Sequence, residues 1–290
     1  MRVGVAVLPE HPWKAARSIF AHLEDLGFDH AWTYDHLSWR TLRDGPWHAA
    51  LPLLSAAAAS TSRIRLGTLV ASPNFRHPVP FAKELMTLDE ISGGRFTLGI
   101  GAGTTNHDAS VLGMPGWSLR ERTSRFEEFI TLLDTLLTSP TTTFTGQFYS
   151  ADDARMLPGC TQRPRLPFAI AALGPRGMAI AARFAQTWVT YGDPKSPADT
   201  HFVGVKRLVE NFEASCLAAG REPASVGRLV LTGSSGPDFF DSVSEFVDAA
   251  GRYADLGFTD IVVHYPRAGA PYAGDPRLLD ELATALPALR

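Results

Sequence analysis

Two rhythms alternate along the chain. Short apolar or β-branched runs, VGVAV at 3–7 and HAWTYD at 30–35, read as strands, and RLGTLVAS at 65–72 and FTLGIGAG at 96–103 continue the set. Between them lie segments with helical spacing: 13–26, stopping at Gly27, then 50–61, then 79–91 with Gly93 just past its end. Phe126, Phe129, Ile130, Leu133, Leu136 and Leu137 mark a further helix, and 144–156 reads as a hairpin or irregular insertion. The alternation then resumes with strands at 167–172, 187–192, 228–233 and 260–266. The intervening helices cover 174–186, 202–219, a stretch around Val243 to Leu256, and 276–289.

Eight strands, each followed by a helix, in 290 residues predict one α/β domain spanning residues 1–290. The expected fold is a (β/α)8 TIM barrel with an insertion between the fourth and fifth strands, near 104–160. Strict alternation forces parallel strands with right-handed crossovers. The rival, an open doubly wound sheet, usually carries a phosphate fingerprint in its first turn, and VLPEHP is not one. Nor does SGGRFTLGIGAGTTN (92–106) supply it, because a Rossmann turn needs glycines at offsets 0, 2 and 5. Counting from Gly99 puts Thr104 at the third position, and counting from Gly101 puts Asn106 there.

Composition narrows the function classes. A net charge of −3 and the lack of a basic footprint argue against nucleic acid or an anionic membrane as partner. Cys160 and Cys216 stand in no redox or metal spacing, as expected in a reducing cytosol. No secretory h-region opens the sequence and no apolar run is long enough to span a bilayer, so a cytoplasmic protein is expected.

In a barrel, chemistry gathers where strands end. Those exits are Asp35-His36, Ser72 to Arg76, Gly101 to His107, Ala172 to Arg176, Tyr191 to Lys195 and His264 to Arg267. No His-x-His occurs, so no metal site is expected. Facing carboxylates for glycoside hydrolysis are also missing from the fourth exit. Asp35-His36 stands out, with Trp39 close behind as an aromatic able to flank a planar ligand. The pair is either an acid–base constellation, or a turn cap beside a satisfied structural histidine.

Three segments carry a resemblance: TYDHLSW, then RIRLGTLVASPNFRHPVPFAKELMTLDEISGGRFTLGIGAG (63–103), then RPRLPFAIAALGPRGMAIAARFAQTW (163–188). Together they resemble the bacterial luciferase-like flavin-dependent oxidoreductases, in particular the branch using the deazaflavin coenzyme F420. That resemblance implies a homodimer acting on a small organic substrate, with an isoalloxazine-type ring at the C-terminal mouth of the barrel. His36 would hydrogen-bond the substrate or ring and move a proton, and Asp35 would orient His36 or bind the ring edge.

The resemblance also implies a non-prolyl cis bond between Leu69 and Val70. Gly101 and Gly103, with Thr104 and Asn106, would border the ring and tail, while Gly99 would make room in the barrel wall. Ala172, Leu173, Gly174, Pro175 and Arg176 would form the loop for the cofactor's phosphate. Two positions depart from the pattern. Thr104 stands where F420-dependent sugar-phosphate dehydrogenases place a glutamate, and Gln186 replaces an acid before the sixth strand. An FMN-dependent monooxygenase using reduced flavin and O2 shares the fold, and a non-catalytic carrier of flavin or deazaflavin is the reading from another class.

Overall fold

The computed structural model describes residues 1–104, 107–233 and 242–290. In chain order, β1 (Arg2–Ala6), α1 (Trp13–Asp25), β2 (His30–Thr33), α2 (Ala50–Ser60), β3 (Arg65–Thr68), α3 (Pro78–Ile91) and β4 (Phe96–Gly101) form the first half. A short helix α4 (His107–Val111) and a long α5 (Leu119–Thr138) follow, then an antiparallel hairpin of β5 (Thr141–Thr145) and β6 (Ser150–Arg155). The second half comprises β7 (Phe168–Ala171), α6 (Pro175–Phe184), β8 (Thr187–Thr190) and α7 (His201–Ala218). It closes with β9 (Gly227–Leu231), α8 (Val243–Asp255), β10 (Asp260–His264) and α9 (Arg277–Leu289).

Eight of these strands close into a parallel barrel, with β1 pairing both β2 and β10, and β4 pairing β7 across the insertion. The barrel strands are largely apolar on both faces, because one side packs on helices and the other fills the interior. The interior is a plug of side chains including Leu8, Trp32, Tyr34, Leu69, Leu229 and Val262. Among the described residues no helix is long and apolar enough to cross a membrane.

The third strand is shorter than the run 65–72 suggests. Its ladder stops at Thr68, the bond between Leu69 and Val70 is cis, and Ala71 rejoins the sheet through an isolated bridge to Ile100. The SGGR segment also has a structural explanation. Gly93 and Gly94 adopt positive φ, so that Arg95 can turn back onto the end of α2. There its guanidinium takes the carbonyls of Ala58 and Thr61, acceptors the helix end leaves unsatisfied, and of Ile64 just before β3, at 2.8 to 3.1 Å. Gln186 braces the start of β8 against β7: its Oε1 accepts from the Phe168 amide at 2.9 Å and from Arg165 at 3.1 Å.

The floor of the barrel is a closed polar network. Trp32 Nε1 donates to His30 Nδ1 at 2.7 Å, and His30 Nε2 meets Asp260 at 3.0 Å. Arg2 holds both oxygens of Asp260 at 2.7 Å. Burial pushes the Asp260 carboxyl up, but Arg2, His30 and Thr259 outweigh it and hold the group well below the usual carboxylate range. The network lies at the N-terminal end of the strands and braces the end opposite the mouth.

Candidate active site

Asp35 and His36 leave the end of β2 together and then part company. Asp35 is almost wholly buried, and Arg76 grips it bidentately, with Nε and Nη2 at 2.6 and 2.7 Å. Arg76 also reaches Glu84 at 3.1 Å and lies over the rings of Phe75 and Phe81. Asp35 therefore does not orient His36. The orienting carboxylate is Asp108 of α4, whose Oδ2 lies 2.9 Å from His36 Nδ1 and whose Oδ1 accepts from the Leu37 amide at 2.8 Å.

Aromatic side chains fix the imidazole further. Trp39 stacks on it with centroids 4.3 Å apart and planes 28° apart. Trp39 is thus committed to His36, with Arg40 also over its ring, and is not the free flank for a ligand that its position suggested. Trp47 Nε1 donates to the His36 carbonyl at 2.8 Å, so backbone and ring are both held. His36 Nε2 makes no hydrogen bond to any described residue.

The fourth strand's glycines separate into three kinds. A Cβ on Gly99 would lie 1.8 Å from the Thr68 carbonyl oxygen, so the close approach is to backbone and not to side chains. Gly103 has φ +76°, its missing Cβ would sit 2.4 Å from Asn74 Nδ2, and its carbonyl accepts from Arg122. At Gly101 a Cβ would only touch Ala171 and Val70 at 3.4 Å, so protein packing alone does not require a glycine there. Thr104 is exposed, its carbonyl 3.4 Å from Asn74 Nδ2, and Asn106 lies outside the described residues.

The loop after β7 is open. Gly174 caps α6 with no side-chain hydrogen bond and has nothing within 4 Å of where a Cβ would stand. Pro175 occupies the first helical turn, while Ala172 is buried and gives its carbonyl to Trp188 Nε1 at 2.9 Å. Leu173 packs on the outer core. Arg176 is exposed and already paired with Glu127 at 3.0 Å, so it is not a free cation.

A second imidazole at the mouth gave no sign in the sequence beyond its place at a strand end. His264 ends β10, fully buried, its Nε2 2.8 Å from the Tyr34 hydroxyl and its ring stacked on Tyr272 with centroids 3.4 Å apart. Tyr272 reaches this place from a loop pinned by Arg267, which holds Glu10 bidentately at 2.6 and 2.8 Å. Burial, opposed weakly by the Thr232 backbone, lowers the His264 pKa to about 3.

The unfolded chain protonates this imidazole near 6.5 and the folded one only near 3. The unfolded state thus binds more protons between those values, and stability falls as pH drops through that window. The slope from this group approaches about 1.4 kcal/mol per pH unit. Glutamine in place of His264 is expected to flatten the fall of Tm between about pH 6.5 and 4.5 relative to wild type. Parallel curves in a pH series of thermal melts would contradict a neutral, buried His264.

Comparison with known proteins agrees with this architecture. Residues 1–235 match the luciferase-like monooxygenase family. An F420-dependent glucose-6-phosphate dehydrogenase of Beutenbergia cavernae is 31% identical, the alignment covering 88% of this chain and 89% of the relative. An F420-dependent hydroxymycolic acid dehydrogenase of Mycobacterium tuberculosis is also 31% identical, over 87% of this chain and 66% of the relative. Among solved structures, an F420-dependent secondary alcohol dehydrogenase in complex with an F420-acetone adduct superposes with a TM-score of 0.82. It covers 100% of this chain and 99% of its own at 18% identity, a likeness of fold. The chain belongs to the luciferase-like monooxygenase family.

Proposed function

We propose that the chain is an F420-dependent oxidoreductase that transfers a hydride between the deazaflavin and a small, partly apolar organic substrate. The observation that carries the catalytic part is His36, held through Nδ1 by a buried carboxylate, with Nε2 at the barrel mouth engaged by none of the described residues. F420 supplies the two-electron redox chemistry. The protein's part is to hold ring and substrate, exclude water, and let His36 Nε2 take or return the proton on an oxygen whose carbon loses or gains a hydride.

Several features fit such a cofactor. Asn74 Oδ1 is buried with no hydrogen-bond partner among the described residues, a cost the native state tolerates when something else uses the acceptor. Gly101 keeps the end of β4 free of a side chain beside Val70 and Ala171, and Leu69 joins the same wall from the barrel interior. The open N-terminus of α6 at Gly174 offers amides to an anionic tail. Asp35 and Arg76 brace this side of the mouth, and Gly103 positions Asn74.

Several arginines around the strand exits are already paired, which leaves the apolar lining to set the character of the substrate. Arg76 is spent on Asp35 and Glu84, Arg122 on the Gly103 carbonyl, Arg207 on Asp193 and Arg267 on Glu10. The sequence at 105–106 and 234–241 adds no lysine or arginine. Trp47, Leu42 and Tyr272 pack there against the interior plug.

Titration with F420 and with FMN, followed by protein fluorescence, tests the reading. Submicromolar binding of F420 and at least about tenfold weaker FMN are expected. The Gly174→Val variant should weaken F420 by a similar factor with only the modest loss of Tm that a less favourable N-cap brings, because an added Cβ meets no protein atom within 4 Å. Preference for FMN would overturn the cofactor, and unchanged affinity in Gly174→Val would remove this loop from the site. Tight binding without turnover of any alcohol or carbonyl compound would mark a carrier.

A further inference from the structure

We propose that Asp108 is a positioning residue that fixes the tautomer of His36, keeping the proton on Nδ1 and the lone pair on Nε2. The inference rests on the reading of His36 as the proton-moving group. It comes from the two-sided engagement of one carboxylate. Asp108 Oδ1 accepts from the Leu37 amide at 2.8 Å, Oδ2 lies 2.9 Å from His36 Nδ1, and the side chain is 1% exposed.

A backbone amide can only donate, and an ionised carboxylate can only accept. The geometry therefore assigns the donor role to His36 Nδ1. Neither side can easily move away. The imidazole is stacked on Trp39, its backbone carbonyl is held by Trp47, and its side chain is 7% exposed. The tautomer of a histidine is set by the hydrogen bond its other nitrogen makes. Buried carboxylates orient catalytic imidazoles in unrelated hydrolases by the same physics. Here the two residues are brought together across 71 intervening positions by α4, which follows β4 into the mouth.

Asparagine at 108 distinguishes positioning from simple packing because it is nearly isosteric but has one acceptor and one donor end. The Leu37 amide cannot change its role, so it retains the asparagine oxygen. The NH2 is left facing His36 Nδ1, and the imidazole must move its proton to Nε2 to accept. The lone pair needed at the mouth is then lost.

The experiment is 15N–1H correlation spectroscopy of histidine-labelled, cofactor-free protein at about pH 8, where an ordinary histidine is neutral, beside turnover and F420 affinity. Wild type should show His36 protonated on Nδ1 and Asp108→Asn should show it on Nε2. Turnover in that variant should fall about 10²- to 10⁴-fold, with the F420 dissociation constant within about twofold. Asp108→Glu, which restores an acceptor-only group, should return the Nδ1–H form and part of the turnover. An Nε2–H or imidazolium ring in wild type overturns the inference without any variant, and so does an unchanged tautomer in Asp108→Asn. A switched tautomer with undiminished turnover would leave the role of Asp108 standing and remove His36 from proton transfer.

Discussion

Replacing His36 with asparagine is expected to lower turnover at least about 100-fold, the usual scale of general acid–base help, while F420 affinity and folding persist. Asparagine retains a side-chain N–H that can reach Asp108, so the buried carboxylate keeps a donor, but it cannot exchange a proton with substrate. Alanine is the less informative change. It strands Asp108 Oδ2, now 2.9 Å from His36 Nδ1, inside the protein. A buried acceptor left without its partner costs about 1–3 kcal/mol, and truncation also takes away the ring stacked on Trp39. Both variants should therefore lose turnover, and only alanine should lose appreciable Tm. Wild-type turnover in His36→Asn, measured with a substrate the parent oxidises or reduces, would return this histidine to a structural role.

The barrel was legible because each of its elements is encoded locally. A strand buried on both faces must be apolar, a helix needs one apolar stripe, and the glycines after α1 and α3 stop each helix where the period breaks. Site residues whose meaning depends on distant partners were not legible. Asp35-His36 reads as a pair in sequence, yet Asp35 belongs to Arg76, forty-one positions on, and His36 to Asp108, seventy-two on.

The signal for Asp108 was present but short of decisive: it stands five residues beyond Gly103, just past the exit segment that ends at His107. His264 was in view at the last strand end, but Tyr34 and Tyr272, which define its surroundings, lie 230 and 8 positions away. Periodicity does not register such pairings. A carboxylate's partner is chosen by the fold, and only the position at a strand exit survives as a clue.

The fourth strand, finally, predicts a separation between two glycines that look alike in FTLGIGAG. Alanine at Gly99 is expected to destabilise the barrel by about 3 kcal/mol or more, above the ordinary range for overpacking. Its Cβ would lie 1.8 Å from the Thr68 oxygen and 3.0 Å from the Thr68 carbonyl carbon. Those atoms are backbone of the neighbouring strand, tied down further by Thr68 Oγ1 donating to the Gly99 carbonyl at 2.7 Å, so no side-chain rotation relieves the clash. Alanine at Gly101 meets only contacts of 3.4 Å, with Ala171 and the end of Val70. Its stability cost should be about 1 kcal/mol or less, offset in part by the entropy that glycine loses on folding. Affinity should behave in the opposite way. The methyl at Gly101 would add a side chain at the end of β4, where the cofactor is proposed to lie, and F420 binding is expected to weaken at least about tenfold, whereas any Gly99→Ala protein that folds should bind nearly as the parent does. Gly103 cannot serve in this comparison, because φ +76° and the nearby Asn74 amide make any side chain there a structural perturbation first. Thermal melts run beside F420 titrations separate the two effects, and a Gly101→Ala protein with parental affinity would move the cofactor away from the end of β4.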